Sequence, residues 1–165
     1  MRYAVQEKLL SIGDDFWITD EQGDKAFLVD GKVLRLRQTL EIKDADGRVL
    51  VTVRKKLIAM HETMEIEQDG AVVATVRKAL VSPLHHRSTV DLADGSQLEA
   101  VGNIWDKEFE ITAGGQVLAR ISRAWFRIRD TYGVDVAPGQ DDVLFLAIAV
   151  VLDRIHHDEE ERDRQ

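Results

Sequence analysis

Cysteine is absent from the 165 residues. That excludes disulfides, thiolate metal sites and a cysteine nucleophile together. An excess of positive charge is also missing: 22 Lys and Arg stand against 30 Asp and Glu, a formal net charge of −8. A global cationic footprint for nucleic acid is therefore excluded, although a local basic patch is not. The longest apolar run, Val143 to Leu152, has ten residues. As a helix it would reach about 15 Å, half of a hydrocarbon core of about 30 Å, so no transmembrane span is expected. The first residues, Met1-Arg2-Tyr3-Ala4-Val5-Gln6-Glu7-Lys8, lack the apolar stretch of a secretory signal. The expectation is a soluble cytoplasmic protein.

What is present is an ordinary globular balance, 44% hydrophobic and 32% charged, at a length that suits one core. From Ala4 to Val136 the chain reads almost entirely as strands. Period-two alternation is visible in Phe16-Trp17-Ile18, Leu40-Glu41-Ile42-Lys43, Met64-Glu65-Ile66-Glu67, Thr89-Val90-Asp91-Leu92 and Phe109-Glu110-Ile111-Thr112. Between these stand turn signals ending in Gly23, Gly47, Gly70, Gly95 and Gly115, most with Asp close before the glycine. Their spacings are 24, 23, 25 and 20 residues. The segments that follow also resemble one another: Val49-Leu50-Val51-Thr52-Val53-Arg54-Lys55, Val72-Val73-Ala74-Thr75-Val76-Arg77-Lys78 and Val117-Leu118-Ala119-Arg120-Ile121-Ser122-Arg123. The unit is a hairpin of two strands. That is too short for a four-stranded propeller blade. An antiparallel meander of about twelve strands fits, and such a sheet closes or splits to remove its edges.

Pro138-Gly139-Gln140 stops the pattern. Asp141 and Asp142 then suit the first turn of a helix. The run Val143 to Leu152 is open to a strand reading, because Ile and Val are β-branched. The acidic start, two alanines and the charged continuation through His157 favour helix. A helix apolar on every side belongs inside a core. The expected fold is thus all-β with one C-terminal α-helix: a closed antiparallel barrel of about twelve strands around that helix. Residues 1–158 form the one domain, and 159–165 a solvated, frayed tail.

Motifs for chemistry fail on inspection. Gly31-Lys32 is followed by Val33, not the Ser or Thr of a phosphate loop. His61-Glu62-Thr63-Met64-Glu65 has Glu65 where a zinc-protease helix needs its second His. Asp44-Ala45-Asp46-Gly47 places its glycine too early for a calcium loop. His85 and His86 would point to opposite faces of a strand, and His156 and His157 suit a helix C-terminus. No catalytic residue, metal or cofactor is expected, and the protein is read as a non-enzyme. Trp17 and Trp105 read as buried structural residues. The basic residues Arg54, Arg77 and Arg123 occupy equivalent strand ends. In a closed barrel they would gather on one rim, with Trp125 and Phe126 nearby, and hold an anionic headgroup.

The chain resembles the LURP-one-related family of the tubby-like C-terminal fold. The likeness is carried by Lys8-Leu9-Leu10-Ser11-Ile12-Gly13-Asp14-Asp15-Phe16, Ser82-Pro83-Leu84, Gly102-Asn103-Ile104-Trp105-Asp106, Arg129-Asp130-Thr131-Tyr132-Gly133-Val134-Asp135-Val136 and the Asp141-Asp142 entry to the helix. It runs from about residue 3 to about residue 158. The resemblance implies the same barrel around a helix. Some tubby-like proteins bind phosphoinositide headgroups, and phospholipid scramblases are proposed to share the fold; no binding residue of theirs maps onto this chain. The expected function is a binding module for an anionic lipid headgroup or a phosphorylated small molecule. The alternative is a protein–protein interaction scaffold.

Overall fold

The computed structural model describes residues 1–6, 15–31, 39–58, 61–78, 86–103, 108–125 and 131–165, with the backbone alone at 57–58, 61–62, 78, 86 and 156–163. Twelve strands follow one another: β1 (Arg2–Gln6), β2 (Phe16–Thr19), β3 (Lys25–Asp30), β4 (Thr39–Lys43), β5 (Val49–Ile58), β6 (His61–Gln68), β7 (Ala71–Lys78), β8 (His86–Leu92), β9 (Gln97–Asn103), β10 (Glu108–Ala113), β11 (Gln116–Ser122) and β12 (Thr131–Val136). Each pairs antiparallel with its sequence neighbours, and β1 pairs with β12, closing the barrel. One α-helix among the described residues, α1 (Asp142–Asp163), follows.

Alternation builds the wall. Val5, Ile18, Val29, Ile42, Ile66, Val76, Val90, Ala100, Ile111 and Val134 are completely buried and face inward. Three inward isoleucines, Ile18, Ile42 and Ile66, stand 24 residues apart, and Val90 stands 24 further on. The register shifts immediately after Ile18, Ile42, Ile66 and Ile111. Such bulges sharpen strand twist, which closure of a sheet requires. The repeat is thus an inward branched residue, a bulge and a tight turn.

The turns repeat atom for atom. In the turn after β4, Gly47 N–H donates to the Asp44 carbonyl (3.1 Å) and Asp44 Oδ1 accepts from the N–H groups of Asp46 and Arg48, both at 2.9 Å. Those backbone donors, Arg48 foremost, hold the Asp44 carboxyl below the usual carboxylate range. Asp20 makes the same three bonds with Gly23, Gln22 and Asp24. Gly47 sits at φ +85°, a conformation that side chains with a Cβ resist. Gly102 answers a different need. A Cβ there would fall within the radius of the Glu108 carbonyl oxygen and 2.7 Å from Phe109 Cα, so β9 and β10 come together only over a glycine.

The turns after β2, β4, β6, β8 and β10 lie together at one end of the barrel, the short-turn end, because the strands alternate in direction. From that end α1 turns back inside. Asp141 Oδ1 accepts from Leu144 N–H (3.1 Å), an N-cap, and Tyr3 Oη donates to Asp142 Oδ2 (2.6 Å). Every residue from Phe145 to Leu152 is buried. The helix continues unbroken to Asp163, past the boundary at 158 where the sequence pattern predicts a frayed tail. The run of charges 158–161 is thus helical, continuous with the core segment.

Two measurements check this packing. Ile148 has no exposed surface, so Ile148→Ala will cost about 2–5 kcal/mol in urea unfolding, the range for a deleted core aliphatic. Burial first, then the Asp142 hydrogen bond, pushes the Tyr3 phenol above its ordinary pKa. A folded-state pKa raised over the unfolded one gives stability that is present below about pH 10 and lost as pH rises beyond it. Unfolding measured at pH 8 and about pH 11 will show a loss in the wild type that Tyr3→Phe lessens.

Candidate functional site

The barrel interior holds Phe145 to Leu152, so a ligand site has to be sought outside it. The side chains that point outward from β5 to β8 carry the strongest pattern. Arg54 Nε lies 3.2 Å from Glu67 Oε2, Lys56 Nζ lies 2.9 Å from Glu65 Oε2, and Arg77 pairs with Asp91. In each pair the carboxylate sits closer to the short-turn end and the cation closer to the opposite end, a consequence of the strand registers. In each pair the carboxylate is also the deeper partner. Side-chain exposures are 47%, 49% and 55% for Arg54, Lys56 and Arg77, against 21%, 12% and 34% for Glu67, Glu65 and Asp91. The acids anchor the cations from below, and the wall displays its positive groups.

Arg87 extends the pattern. It is exposed on β8, two residues beyond Thr89, the register partner of Arg77. Side chains so placed on adjacent strands are diagonal neighbours, within about 7–8 Å. Among the described residues Arg87 has no carboxylate partner. The hairpin repeat singles out Arg54 and Arg77; it gives no reason to choose Lys56 or Arg87, which hold no shared repeat position.

The expected rim of three arginines does not assemble. Arg54 and Arg77 stand two strands apart, roughly 10 Å. Arg123 follows β11, six strands from β5 in a ring of twelve, on the opposite wall. Equivalent positions in a repeat reach the same end of a barrel, but closure spreads them round its circumference. Trp125 does not join a cation rim either: it lies partly buried under the Arg2 guanidinium, 4.3 Å from Arg2 Cζ to the ring centroid. Trp17, expected in the core, is only partly buried and is capped by Lys25 Nζ at 5.0 Å. His85, Trp105 and Phe126 lie outside the described residues, and His86, His156 and His157 are described by backbone alone.

Charge is sorted along the barrel axis. Residues 19–25, 43–49, 67–71, 91–97, 112–116 and 135–142, which make the short-turn end, contain twelve Asp and Glu against three Lys and Arg. Much of the acidic excess thus stands at that end, in a count that includes Glu67 and Asp91, the partners of Arg54 and Arg77. Among the described residues no group of three His, Asp or Glu is placed to hold a metal ion. No described helix is long and apolar enough to cross a membrane.

A twelve-stranded meander closed by its first and last strands, with a C-terminal helix threaded through it, defines the class of barrel to which this protein belongs. Within that class the chain is a member of the LURP-one-related family, whose profile it matches over residues 1–153. It is 29% identical over 157 residues to the uncharacterized protein YxjI of Bacillus subtilis, covering 95% of this chain and 94% of that one. It is 24% identical over 174 residues to protein LURP-one-related 15 of Arabidopsis thaliana, covering 94% and 80%. An X-ray structure of an Arabidopsis thaliana protein superposes with a TM-score of 0.69 at 19% identity, over 93% of this chain and 90% of that one. That similarity is one of fold.

Proposed function

We propose that this protein is a non-enzymatic binding module that takes a phosphorylated or otherwise anionic ligand on the outer wall of β5–β8. The observation that carries the reading is the layering of charge there: Arg54, Lys56 and Arg77 lie over deeper carboxylates, and Arg87 beside them has no carboxylate partner among the described residues. A guanidinium has five donors, and one carboxylate leaves several of them unused. Two arginines at diagonal positions offer charge-assisted, forked donation to one phosphate group. Arg54 and Lys56 extend the positive wall for a ligand with more than one anionic group. Arg123, across the barrel, lies outside this site.

A lipid headgroup and a free phosphorylated molecule share this chemistry, and the experiment separates them. Flotation with vesicles containing phosphatidylserine tests the first source. Titration with inositol hexakisphosphate tests the second. Arg87→Glu will weaken binding to whichever probe the wild type takes by about tenfold or more at low ionic strength, where screening is least. Its melting temperature will stay within that of a surface substitution. Undiminished binding by Arg87→Glu overturns the site. Wild-type protein that takes neither probe at low ionic strength overturns the anionic-ligand reading and favours the interaction scaffold.

A further inference from the structure

One row of outward side chains crosses the seam where the barrel closes. Register sets Glu110 on β10, Arg120 on β11, Asp135 on β12 and Arg2 on β1 side by side across four adjacent strands. The residues next to them along each strand, Ile111, Ala119, Val134 and Tyr3, are buried and face inward, so all four charged groups face out. Their signs alternate: minus, plus, minus, plus. Within the chain Arg120 pairs with Glu110 at 3.3 Å and Arg2 with Asp135 at 3.5 Å, yet each of the four side chains stays 40–58% exposed. A guanidinium has five donors and a carboxylate about four acceptor sites, so each group has room for a second partner.

An alternating row of even length is complementary to its own reverse. Let two such rows face each other across a two-fold axis that runs along the strands, between β11 and β12. Glu110 of one copy then meets Arg2 of the other, and Arg120 meets Asp135; the symmetry makes each contact twice. Moving the axis onto β11 or onto β12 sets like charges face to face, which is unfavourable, so the charges fix the register. A second feature lies on the same axis. On the short-turn side of the row, between β11 and β12, runs a groove of about 330 Å³ whose walls include Met1, Val117, Leu118, Val136, Ala137 and Pro138. Met1 is half exposed there. In the two-fold arrangement the two grooves face each other, and their apolar walls leave water together. The net charge of −8 opposes contact between copies through faces that lack such complementarity.

We propose that the β10–β11–β12–β1 face is a self-association surface, and that its occupant is a second copy of this chain in a closed two-fold dimer. A barrel wall is convex, so the two central Arg120–Asp135 contacts come closest and the contact area is small. The dimer is transient, in the class of interfaces that bury less than about 1,200 Å². The β5–β8 wall lies on the far side of the barrel and stays open in both copies. The dimer is therefore independent of what that wall binds.

Sedimentation equilibrium of the full chain over a wide concentration range is the test. The wild type will pass from monomer to dimer as concentration rises and will stop at two, because a two-fold contact is closed. Asp135→Arg and Arg120→Asp each set like charges against one another at the axis. Each variant alone will stay monomeric at concentrations where the wild type is dimeric. Mixed in equal amounts, the two will associate again as a heterodimer, because every facing pair in the mixture is opposite in sign. Melting temperatures confirm that each variant is folded. Should either charge variant not fold, Val117→Glu decides: a charge in the groove wall will weaken dimerisation by about tenfold or more, and undiminished dimerisation overturns the surface. A wild type that stays monomeric up to about 1 mM overturns it as well. So does an oligomer larger than two, dimerisation of both charge variants as strong as that of the wild type, or a mixture of folded variants that stays monomeric.

Discussion

An α-helix with no polar side has to be surrounded, and the rest of the structure follows from that demand. Phe145 to Leu152 are buried on every side. A single sheet face covers only one side of such a helix; a closed sheet covers all of them. Closure in turn requires the first and last strands to pair, each strand to keep one apolar face, and the twist to be steep. The pairing of β1 with β12, the inward apolar residues of each strand and the bulges after Ile18, Ile42, Ile66 and Ile111 meet those requirements one by one. Tyr3 fastens the arrangement where helix and barrel meet, through Asp142.

With the interior occupied, chemistry is left to the outer wall and the two mouths. The wall is not a random mixture of charges. Ion pairs on exposed strands contribute little to stability, generally below about 1 kcal/mol. Their arrangement matters more than their strength. Because Glu65, Glu67 and Asp91 lie deeper than Lys56, Arg54 and Arg77, pairs that are neutral in sum present a positive exterior. An acidic chain can in this way keep a local attraction for anions while its overall charge maintains repulsion between copies.

Much of the fold is legible in the sequence. Gly23, Gly47, Gly70, Gly95 and Gly115 mark five turns, and the apolar run after Pro138 names its own surroundings. The true period is carried by the inward residues Ile18, Ile42, Ile66 and Val90, but the glycines are easier to see. Register shifts hide the regularity, since each bulge adds a residue to the strand that follows the turn: Ala26, Leu50, Val73 and Leu118. The site is far less legible. Arg54 and Arg77 are visible as repeat positions, yet their separation from Arg123 depends on the circumference of a closed ring, which a linear pattern does not display. Whether a cation lies above or below its carboxylate depends on diagonal contacts between strands, and these too have no signature along the chain. Trp17 misleads for a related reason: an indole satisfied by a cation on the surface looks, in sequence, like one destined for the core.

The pairing of Arg2 with Asp135 joins residues 133 positions apart. Local hairpins form from neighbouring residues, but this contact has to wait for nearly the whole chain, and its loop-closure entropy is met last. On a ribosome the nascent sheet would have two unsatisfied edges until β12 emerged. The apolar helix is made later still, after every strand that will enclose it. Synthesis order therefore protects the most aggregation-prone segment by delaying its appearance, and leaves the long-lived hazard with the edges of β1 and of whichever strand has just emerged.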